Sequence, residues 1–311
     1  MSGLRVIYIG GYTRSGSTLL DRLLGATPGA VSVGELRHLW SMGFIEDRFC
    51  GCGEPFSACP FWRRVVGDAF PAMIAAEARR LNAEEEWLLK ARHTRALLRP
   101  DQLRGRLRRA RDEFAETRGR LYAAVANAAG ASTIVDSSKN PSYGLLLATM
   151  PGLDVRTVHL VRDSRATSFS WLRVKSDPRR PGATDYFPRR QPHVSGSWWA
   201  ANALLMEGIS RFGPRRHLRV RYEDLVAEPE GEIRRIASHS GLDASVPEHK
   251  PGTFDLPVDH SIGGNPVRFV QGQVAVREDT EWKRAMRKRD RAVVTAITWP
   301  LLWRYGYLGR R

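Results

Sequence analysis

The chain has 311 residues, of which 42% are hydrophobic, and a formal net charge of +16 at pH 7. The hydrophobic share is sufficient for a substantial core. No run approaches the roughly 18 apolar residues of a membrane-spanning helix, which excludes such a span. The charge indicates a polyanionic partner, which is nucleic acid, a membrane surface or a highly phosphorylated small molecule.

The start of the chain and its cysteines indicate a cellular location. Residues Met1 to Arg5 lead directly into an apolar run, without the basic-then-apolar leader of a secreted protein. Three cysteines in a chain of this length fit a reducing compartment. We therefore expect a soluble, cytoplasmic protein.

Short β-rich runs alternate with helical patterns along the chain. This alternation predicts an α/β fold with a central, mostly parallel sheet flanked by helices. We expect a single domain that comprises residues 1–311. The predicted strands are Arg5–Gly10, Ala30–Val33, Thr133–Val135, Val155–Val161 and His217–Arg221.

Two stretches interrupt this alternation. The first, from Phe61 to Ala129, has almost no β character and predicts a helical insertion of two or three amphipathic helices at about residues 61–130. Its Arg-rich part is either a solvated basic face of helices packed against the sheet or a lid that borders a substrate pocket. The second stretch, from Lys175 to Pro192, is rich in Pro and Arg and predicts a loop.

A phosphate-binding loop follows the first predicted strand, between Gly11 and Thr18. Its spacing matches the Walker A pattern, but Ser17 stands where that pattern has its Lys, and the only basic residue is Arg14. Backbone N–H groups and the N-terminus of a helix that starts near Thr18 can still bind a phosphate. The loop therefore predicts binding of a phosphorylated nucleotide without ordinary ATP chemistry.

A second anion site is indicated where the fourth predicted strand ends at Arg162 and Asp163. A helix begins there, and Ser170 lies two turns along it. An Arg at a strand end and a helical hydroxyl can bind a phosphate at the carboxyl edge of a parallel sheet. The alternative interpretation is a structural ion pair between Arg162 and Asp163.

Taken together, the Arg14–Thr18 loop, Leu160–Asp163 and Ser170 resemble the PAPS-dependent sulfotransferase family, where PAPS is 3′-phosphoadenosine 5′-phosphosulfate. The resemblance implies a P-loop-type three-layer fold. It also implies a 3′-phosphate site at Arg162 and Ser170. The 5′-phosphosulfate is implied to lie on Arg14, Ser15, Gly16, Ser17 and Thr18.

Further segments extend the resemblance over most of the chain. Val220–Leu225, which contains Tyr222, is similar to an R-Y-E-D-L element near the nucleotide. Gly263–Arg268 and Arg277–Lys283 are similar to a late basic loop over the 3′-phosphate, which implies nucleotide contacts for Asn265, Arg268 and Arg277. The likeness is closest to bacterial members and to the tyrosylprotein and carbohydrate branches, which also have Arg in the first loop.

The resemblance also indicates candidates for the chemistry. In the tyrosylprotein branch a Gly-Glu at the same separation from the first loop supplies the base, which implies this role for Glu35. His38 is a second candidate for the base. The structural alternative for Glu35 is that its carboxylate caps the helix that follows it. Lys139 follows the third strand and can neutralise charge on the leaving oxygen, unless it is a solvated Lys in the turn before Pro141.

The implied reaction is direct in-line transfer of a sulfuryl group from PAPS to a hydroxyl of a small molecule, glycoside or lipid, without a metal. The sequence offers no clear metal site. Cys50, Cys52 and Cys59 could bind zinc together with a His, but the paired C-x-x-C spacing is absent. A local disulfide and a reduced structural loop are the alternatives.

Two other functions are less consistent with the sequence. A divergent P-loop kinase would need a loop Lys, and position 17 is Ser. A non-enzymatic polyanion-binding protein would have aromatic residues among its basic ones, and the Arg104–Arg120 segment has only Phe114. We therefore expect no nucleic-acid partner, while the oligomeric state is not indicated.

Overall fold

The computed structural model describes residues 3–173, 189–243 and 252–309. Within these residues, five parallel strands form one sheet in the order β2-β3-β1-β4-β5, which confirms the predicted fold class. The strands are β1 (Leu4–Gly10), β2 (Ala30–Ser32), β3 (Thr133–Lys139), β4 (Leu153–Val161) and β5 (His217–Arg221).

Helices cover both faces of the sheet, so the central strand is apolar on both sides. In β1, Val6 and Tyr8 pack into one core cluster, and Ile7 and Ile9 pack into another. The second cluster includes side chains from α1 (Ser17–Gly25), α9 (Tyr222–Ala227) and α10 (Pro229–Ser240). The first includes side chains from α2 (Pro60–Ala69), α3 (Ala75–Leu88), α4 (Thr94–Leu97), α5 (Gly105–Ala129) and α6 (Pro141–Ala148).

The remaining described elements lie around the later strands. The helices α7, α8 and α12 pack against one another, and the strands β6 and β7 pair as an antiparallel hairpin. The hairpin was not predicted, because each of its strands has only four residues. The bounds are α7 (Ser164–Leu172), α8 (Pro192–Ser210), β6 (Thr253–Leu256), β7 (Gly272–Ala275), α11 (Trp282–Ala285) and α12 (Lys288–Arg304).

The segment from 60 to 129 contains the four helices α2 to α5, where two or three were predicted. Most of the loop predicted from Lys175 to Pro192 lies outside the described residues. Among the described helices, none has the length and apolar character that are needed to cross a membrane.

The third strand is longer than the sequence pattern predicts. It continues beyond Val135 for four buried polar residues, of which Lys139 is the last. These polar groups are tolerated because they have partners: the Tyr122 hydroxyl, from α5, donates to the Asp136 carboxylate, and so does the Ser138 hydroxyl at 2.5 Å. The strand therefore delivers Lys139 to the edge of the sheet as its last residue.

A buried ion pair links α5 to α3 and to the turn after β2. The Arg118 guanidinium is fully buried, lies 2.5 Å from the Glu85 carboxylate, and donates to the Leu36 carbonyl oxygen at 2.9 Å. The Glu85 carboxylate also accepts from the indole N–H of Trp40. Because Leu36 follows Glu35 in the chain, this contact from the helical insertion helps to hold the segment that carries the Glu35 side chain.

We predict that Arg118→Met lowers the free energy of unfolding by about 3–5 kcal/mol, because the Glu85 charge stays buried without its partner. Urea denaturation followed by circular dichroism measures the change. Arg108→Met is the matched control, since Arg108 lies on the same helix and its side chain is 61% exposed. The control should change stability by less than about 0.5 kcal/mol. Equal losses in both variants would contradict a specific role for the pair.

Candidate active site

A cavity of about 370 Å³ lies at the carboxyl edge of the sheet. Each strand of the five-stranded sheet places at least one polar residue on the wall of this cavity, at or after the strand's end. These residues are Arg14 after β1, Glu35 after β2, Lys139 at the end of β3, Arg162 after β4 and Tyr222 after β5. The predicted strand ends therefore converge on one site, as expected for an open parallel sheet.

The first loop reaches α1 through two residues with left-handed backbone. The φ angle is 70° at Arg14 and 95° at Gly16, and a Cβ at position 16 would lie 2.4 Å from the Tyr222 ring. Gly16 is therefore required both by conformation and by the close approach of Tyr222. The helix begins at Ser17, so its unpaired N–H groups lie at the cavity wall formed by Gly16, Ser17 and Thr18.

The two predicted anion sites lie in direct contact. The Arg14 side chain donates from Nε to the Ser170 hydroxyl at 3.1 Å and from Nη2 to the Ser170 carbonyl oxygen at 3.3 Å. The Arg162 guanidinium donates to the Arg14 carbonyl oxygen at 3.2 Å and lies over the Tyr222 ring. The first loop, α7 and the end of β4 thus form one continuous cationic wall.

Arg162 does not form its ion pair with Asp163. The Asp163 carboxylate is bound instead by Arg165 at 2.6 Å. The partner of Arg162 is Asp279, at 3.2 Å, and Asp279 also lies 2.5 Å from Arg173. Sequence reasoning missed Arg173 and Asp279, although Arg173 comes three residues after Ser170 and such residues are neighbours on a helix surface.

Glu35 and Lys139 form a buried ion pair on the opposite part of the wall. Their Oε1 and Nζ atoms are 2.5 Å apart, and Nζ also donates to the Ser137 carbonyl oxygen at 3.0 Å. Both residues are less than 10% exposed, so Lys139 is not a solvated turn residue. Among the described residues, the Glu35 side chain makes no capping hydrogen bond to the helix that follows it.

The charge states of this pair follow from its surroundings. Burial raises the pKa of Glu35, but the positive charge of Lys139 and, to a smaller extent, His38 lower it by more. The pKa of Glu35 is therefore lower than its ordinary value of 4.5. Burial lowers the pKa of His38 to about 4, against the opposing effect of Glu35. At neutral pH Glu35 is therefore an anion, and His38, with Nε2 3.6 Å from the Glu35 carboxylate, is neutral. Both can accept a proton.

The segment after β6 closes this side of the site. The Glu35 N–H donates to the Ile262 carbonyl oxygen at 2.7 Å, and the Ile262 N–H donates to the Val33 carbonyl oxygen at 2.9 Å. The Asn265 N–H donates to the Thr18 hydroxyl at 3.2 Å, and Gly264, with φ 93°, lies between Thr18 and Glu35. The late loop therefore lies beside the base candidate and the first turn of α1.

Two of the predicted nucleotide-binding residues do not line the cavity. The Arg268 guanidinium is 2% exposed and donates to the carbonyl oxygens of Ser261 and Phe49 at 2.9 and 2.7 Å. Its role in this arrangement is to join two backbone segments. Ser15 is 1% exposed and, unlike its neighbours Arg14 and Gly16, does not line the cavity.

The cavity has a strong positive charge. The described side chains that line it include six cations and two carboxylates, an excess of four positive charges. Burial lowers the pKa of Arg14 to about 10, so its guanidinium stays charged at neutral pH. Arg48 was not predicted, and Arg277 lines the cavity where the sequence indicated a nucleotide contact. The cations are Arg14, Arg48, Lys139, Arg162, Arg173 and Arg277, and the carboxylates are Glu35 and Asp279.

Comparisons with known proteins indicate the family and the fold of the chain. The sequence model of the sulfotransferase family matches residues 6–246 of the chain. Over 129 aligned residues, the chain is 28% identical to carbohydrate sulfotransferase 7 of Mus musculus and 29% identical to that of Rattus norvegicus. Each match covers 30% of this chain and 27% of the relative. The chain thus spans about a quarter of the length of these curated relatives.

A solved structure shares the fold. It is the sulfotransferase domain of the olefin synthase from Synechococcus PCC 7002, with a TM-score of 0.54 and 19% identity. The match covers 99% of this chain and 97% of that domain. At this level of identity the likeness supports the arrangement of the sheet and its helices.

We predict that the ion pair of Glu35 contributes a pH-dependent stability. Because the folded pKa of Glu35 is lower than its ordinary value of 4.5, this stability is fully present above pH 4.5 and is lost as the pH falls through the folded pKa. The free energy of unfolding of the wild type should exceed that of Glu35→Gln by about 3 kcal/mol at pH 7. The difference should shrink below pH 4.5.

Urea denaturation of both proteins from pH 3.5 to 8 measures this difference. Glu46→Gln is the control, since Glu46 forms an exposed ion pair with Arg48, and it should change stability by less than about 0.5 kcal/mol at every pH. A difference for Glu35→Gln that grows toward acid pH would contradict the assignment.

Proposed function

Because the chain belongs to the sulfotransferase family, we propose that it transfers a sulfuryl group from PAPS to a hydroxyl of an acceptor molecule. The observation that carries this proposal is the cavity with its excess of four positive charges. It combines a phosphate loop, a second cluster of Arg and Ser, and a buried carboxylate with a Lys partner. A nucleotide that is phosphorylated at both ends and sulfated at one has complementary charge.

The fit of the donor follows from the groups on the wall. A 3′-phosphate carries close to two negative charges at pH 7 and a 5′-phosphosulfate carries two more, so the total is about four. Within the described structure, Thr13 Oγ1 and Arg162 Nε belong to residues that line the cavity, and both atoms are buried without a hydrogen-bond partner. Such groups around the first loop and the end of β4 have donor capacity for anionic oxygens.

The positions of the cationic residues on the wall divide the cavity into two proposed ends, one for each anionic group of the donor. The N-terminus of α1 with Arg14 and Lys139 would hold the phosphosulfate, and Arg162 with Arg173 and Arg277 would hold the 3′-phosphate. The hydrogen bonds from Arg14 to Ser170 support a continuous binding surface between these two ends.

Glu35 is the proposed base. The acceptor oxygen bonds to sulfur as the bond from sulfur to the 5′-phosphate oxygen breaks, and Glu35 accepts the hydroxyl proton. Lys139 lowers the basicity of Glu35 while the two are paired. If Lys139 moves its interaction to the departing phosphate, it stabilises the leaving group and raises the basicity of Glu35 in the same step. The scheme uses no metal ion.

The acceptor is proposed only as a class. The curated relatives are named carbohydrate sulfotransferases, which favours a sugar hydroxyl, and small-molecule and lipid hydroxyls have the same chemistry. We propose a cytoplasmic enzyme, in which PAPS and such acceptors meet in solution.

We predict that the protein binds 3′,5′-adenosine bisphosphate more tightly than ATP, because ATP has no phosphate on its 3′-oxygen. Arg162→Ala should weaken binding of the bisphosphate by about 10- to 100-fold, as expected for loss of a hydrogen bond between charged groups. Binding of 5′-AMP should change less than about threefold. Isothermal titration calorimetry measures all three ligands.

Arg156→Ala is the matched control for this titration. Arg156 lies on the same strand as the end that carries Arg162, and its partner is Asp154, so the variant should bind like the wild type. Equal or tighter binding of ATP would count against the proposed donor. Equal losses of bisphosphate and 5′-AMP affinity in Arg162→Ala would refute the 3′-phosphate assignment.

We predict that Glu35→Gln lowers turnover by about 10²- to 10⁴-fold, as expected for removal of a general base. Its affinity for the bisphosphate should stay within a few-fold of the wild type, which shows that the site is still formed. Turnover is measured by mass spectrometry of sulfated products after incubation of PAPS with a panel of sugar, phenol and lipid hydroxyls.

His38→Asn is the companion variant, since His38 is the second proton acceptor in reach. It should retain most of the wild-type turnover. Near-normal turnover in Glu35→Gln together with a large loss in His38→Asn would transfer the base role to His38.

A further inference from the structure

Three cysteines and a histidine come together outside the cavity. The ligand atoms of Cys50, Cys52, Cys59 and His260 all lie within 4.8 Å of one another. The Cys50 and Cys59 side chains are buried and Cys52 is half-buried. His260 comes 201 residues after Cys59, so the sequence showed the three sulfurs but not the fourth group.

Three distances within this cluster are close to those of a tetrahedral zinc site. With bonds of about 2.3 Å to sulfur and 2.0–2.1 Å to nitrogen, a tetrahedron has about 3.8 Å between sulfurs and about 3.6 Å between sulfur and nitrogen. The distance from Cys52 Sγ to Cys59 Sγ is 3.6 Å. The His260 Nδ1 atom lies 3.7 Å from Cys50 Sγ and 3.3 Å from Cys59 Sγ.

Each sulfur also has a backbone N–H near it. The amides of Cys52, Glu54 and Trp62 face the sulfurs of Cys50, Cys52 and Cys59, respectively. An amide N–H beside a sulfur can donate to it when the sulfur is bound to a metal as a thiolate.

The imidazole of His260 is held in its orientation. Its ring stacks on Phe61 with the ring centres 4.6 Å apart and an angle of 7° between the planes. The His260 carbonyl oxygen accepts a hydrogen bond from the Trp62 indole at 2.9 Å. Both contacts come from the first turn of α2, directly after Cys59, so the helix that follows one sulfur also positions the nitrogen.

The two chain segments approach each other closely at Gly51. A Cβ at this position would lie 2.1 Å from a carboxylate oxygen of Asp259. The Gly51 N–H donates to the Ser261 carbonyl oxygen at 3.0 Å. Asp259 is held by Arg22 of α1 at 2.8 Å. The approach therefore does not depend on the cluster alone.

We propose that Cys50, Cys52, Cys59 and His260 bind a structural zinc ion. Three thiolates and one imidazole form a closed shell of four protein ligands, which is typical of structural rather than catalytic zinc. Sulfur ligands exclude magnesium and calcium, which prefer oxygen. Binding releases the thiol protons to solvent.

The ion would join the cysteine loop to the segment that closes the active site. Residues 261 to 265 follow His260 directly, and they contact Glu35 and Thr18. The Arg268 guanidinium bridges the same two segments, since it binds the carbonyl oxygens of Phe49 and Ser261. Zinc and Arg268 would thus join the same two segments, the cysteine loop and the segment after β6. The metal would help to hold the second segment in place beside Glu35 and Thr18.

Metal analysis of the whole protein tests the proposal. The protein is purified under reducing conditions, its affinity tag is removed, and zinc is measured by inductively coupled plasma mass spectrometry. We expect about one zinc per chain. Cys52→Ser and His260→Asn should each lose most of it. His193→Asn, which changes an exposed His on α8, is the matched control and should keep it.

A second measurement does not depend on the folding of variants. The wild type is stripped of metal with a chelator and reconstituted with Co²⁺, which should give the visible bands of tetrahedral cobalt and charge-transfer bands from thiolates. Chelation should also lower the melting temperature, and added zinc should restore it.

Absence of stoichiometric zinc in the purified wild type, together with no thiolate bands after cobalt addition, would overturn the proposal. A disulfide between Cys52 and Cys59, detected in the folded protein by alkylation and mass spectrometry, would overturn it as well. Neither result depends on the donor or the acceptor of the transfer reaction.

Discussion

Parallel pairing of the five strands is the constraint on which the site depends. It brings the carboxyl ends of β1 to β5 to one edge of the sheet, where Arg14, Glu35, Lys139, Arg162 and Tyr222 meet. Both faces of the sheet are covered by helices, so the strand interiors are apolar and charged groups collect at this edge. The cavity and its charge are therefore consequences of the topology, and the loops determine only which groups are presented.

Buried charges in this fold are stabilised in pairs that also connect distant segments. Glu35 with Lys139 joins the ends of β2 and β3, and Arg118 with Glu85 joins the helical insertion to the turn after β2. Removing either partner of such a pair would leave a charge without compensation. The same interactions that permit burial thus fix the position of the Glu35 segment, which is held from the sheet, the insertion and the late loop.

Local sequence patterns predicted much of this arrangement. The features that depend on contacts between distant residues could not be predicted in this way. The apolar strand β1, the glycine-containing loop after it and the Glu35 and Lys139 positions follow from neighbouring residues. Arg268 looked like a ligand contact because it is basic and lies in a matching segment, but its partners are two carbonyl oxygens, one of them about 220 residues away in the chain. The position of His260 beside the cysteines was missed for the same reason, since His260 is also far from them in the sequence. Pairing between such distant residues leaves no periodic or spacing signal.

The position of Asp279 affects how an anion can bind. Its carboxylate lies within 3.2 Å of Arg162 and 2.5 Å of Arg173, so these guanidinium groups already have an internal counter-ion. In the proposed reaction, a phosphate that pairs with them would take the place of Asp279, and its net gain would be the difference between two ion pairs. Such an exchange would keep the arginines ordered between turnovers and would favour release of a spent ligand, since the carboxylate could return as the phosphate leaves.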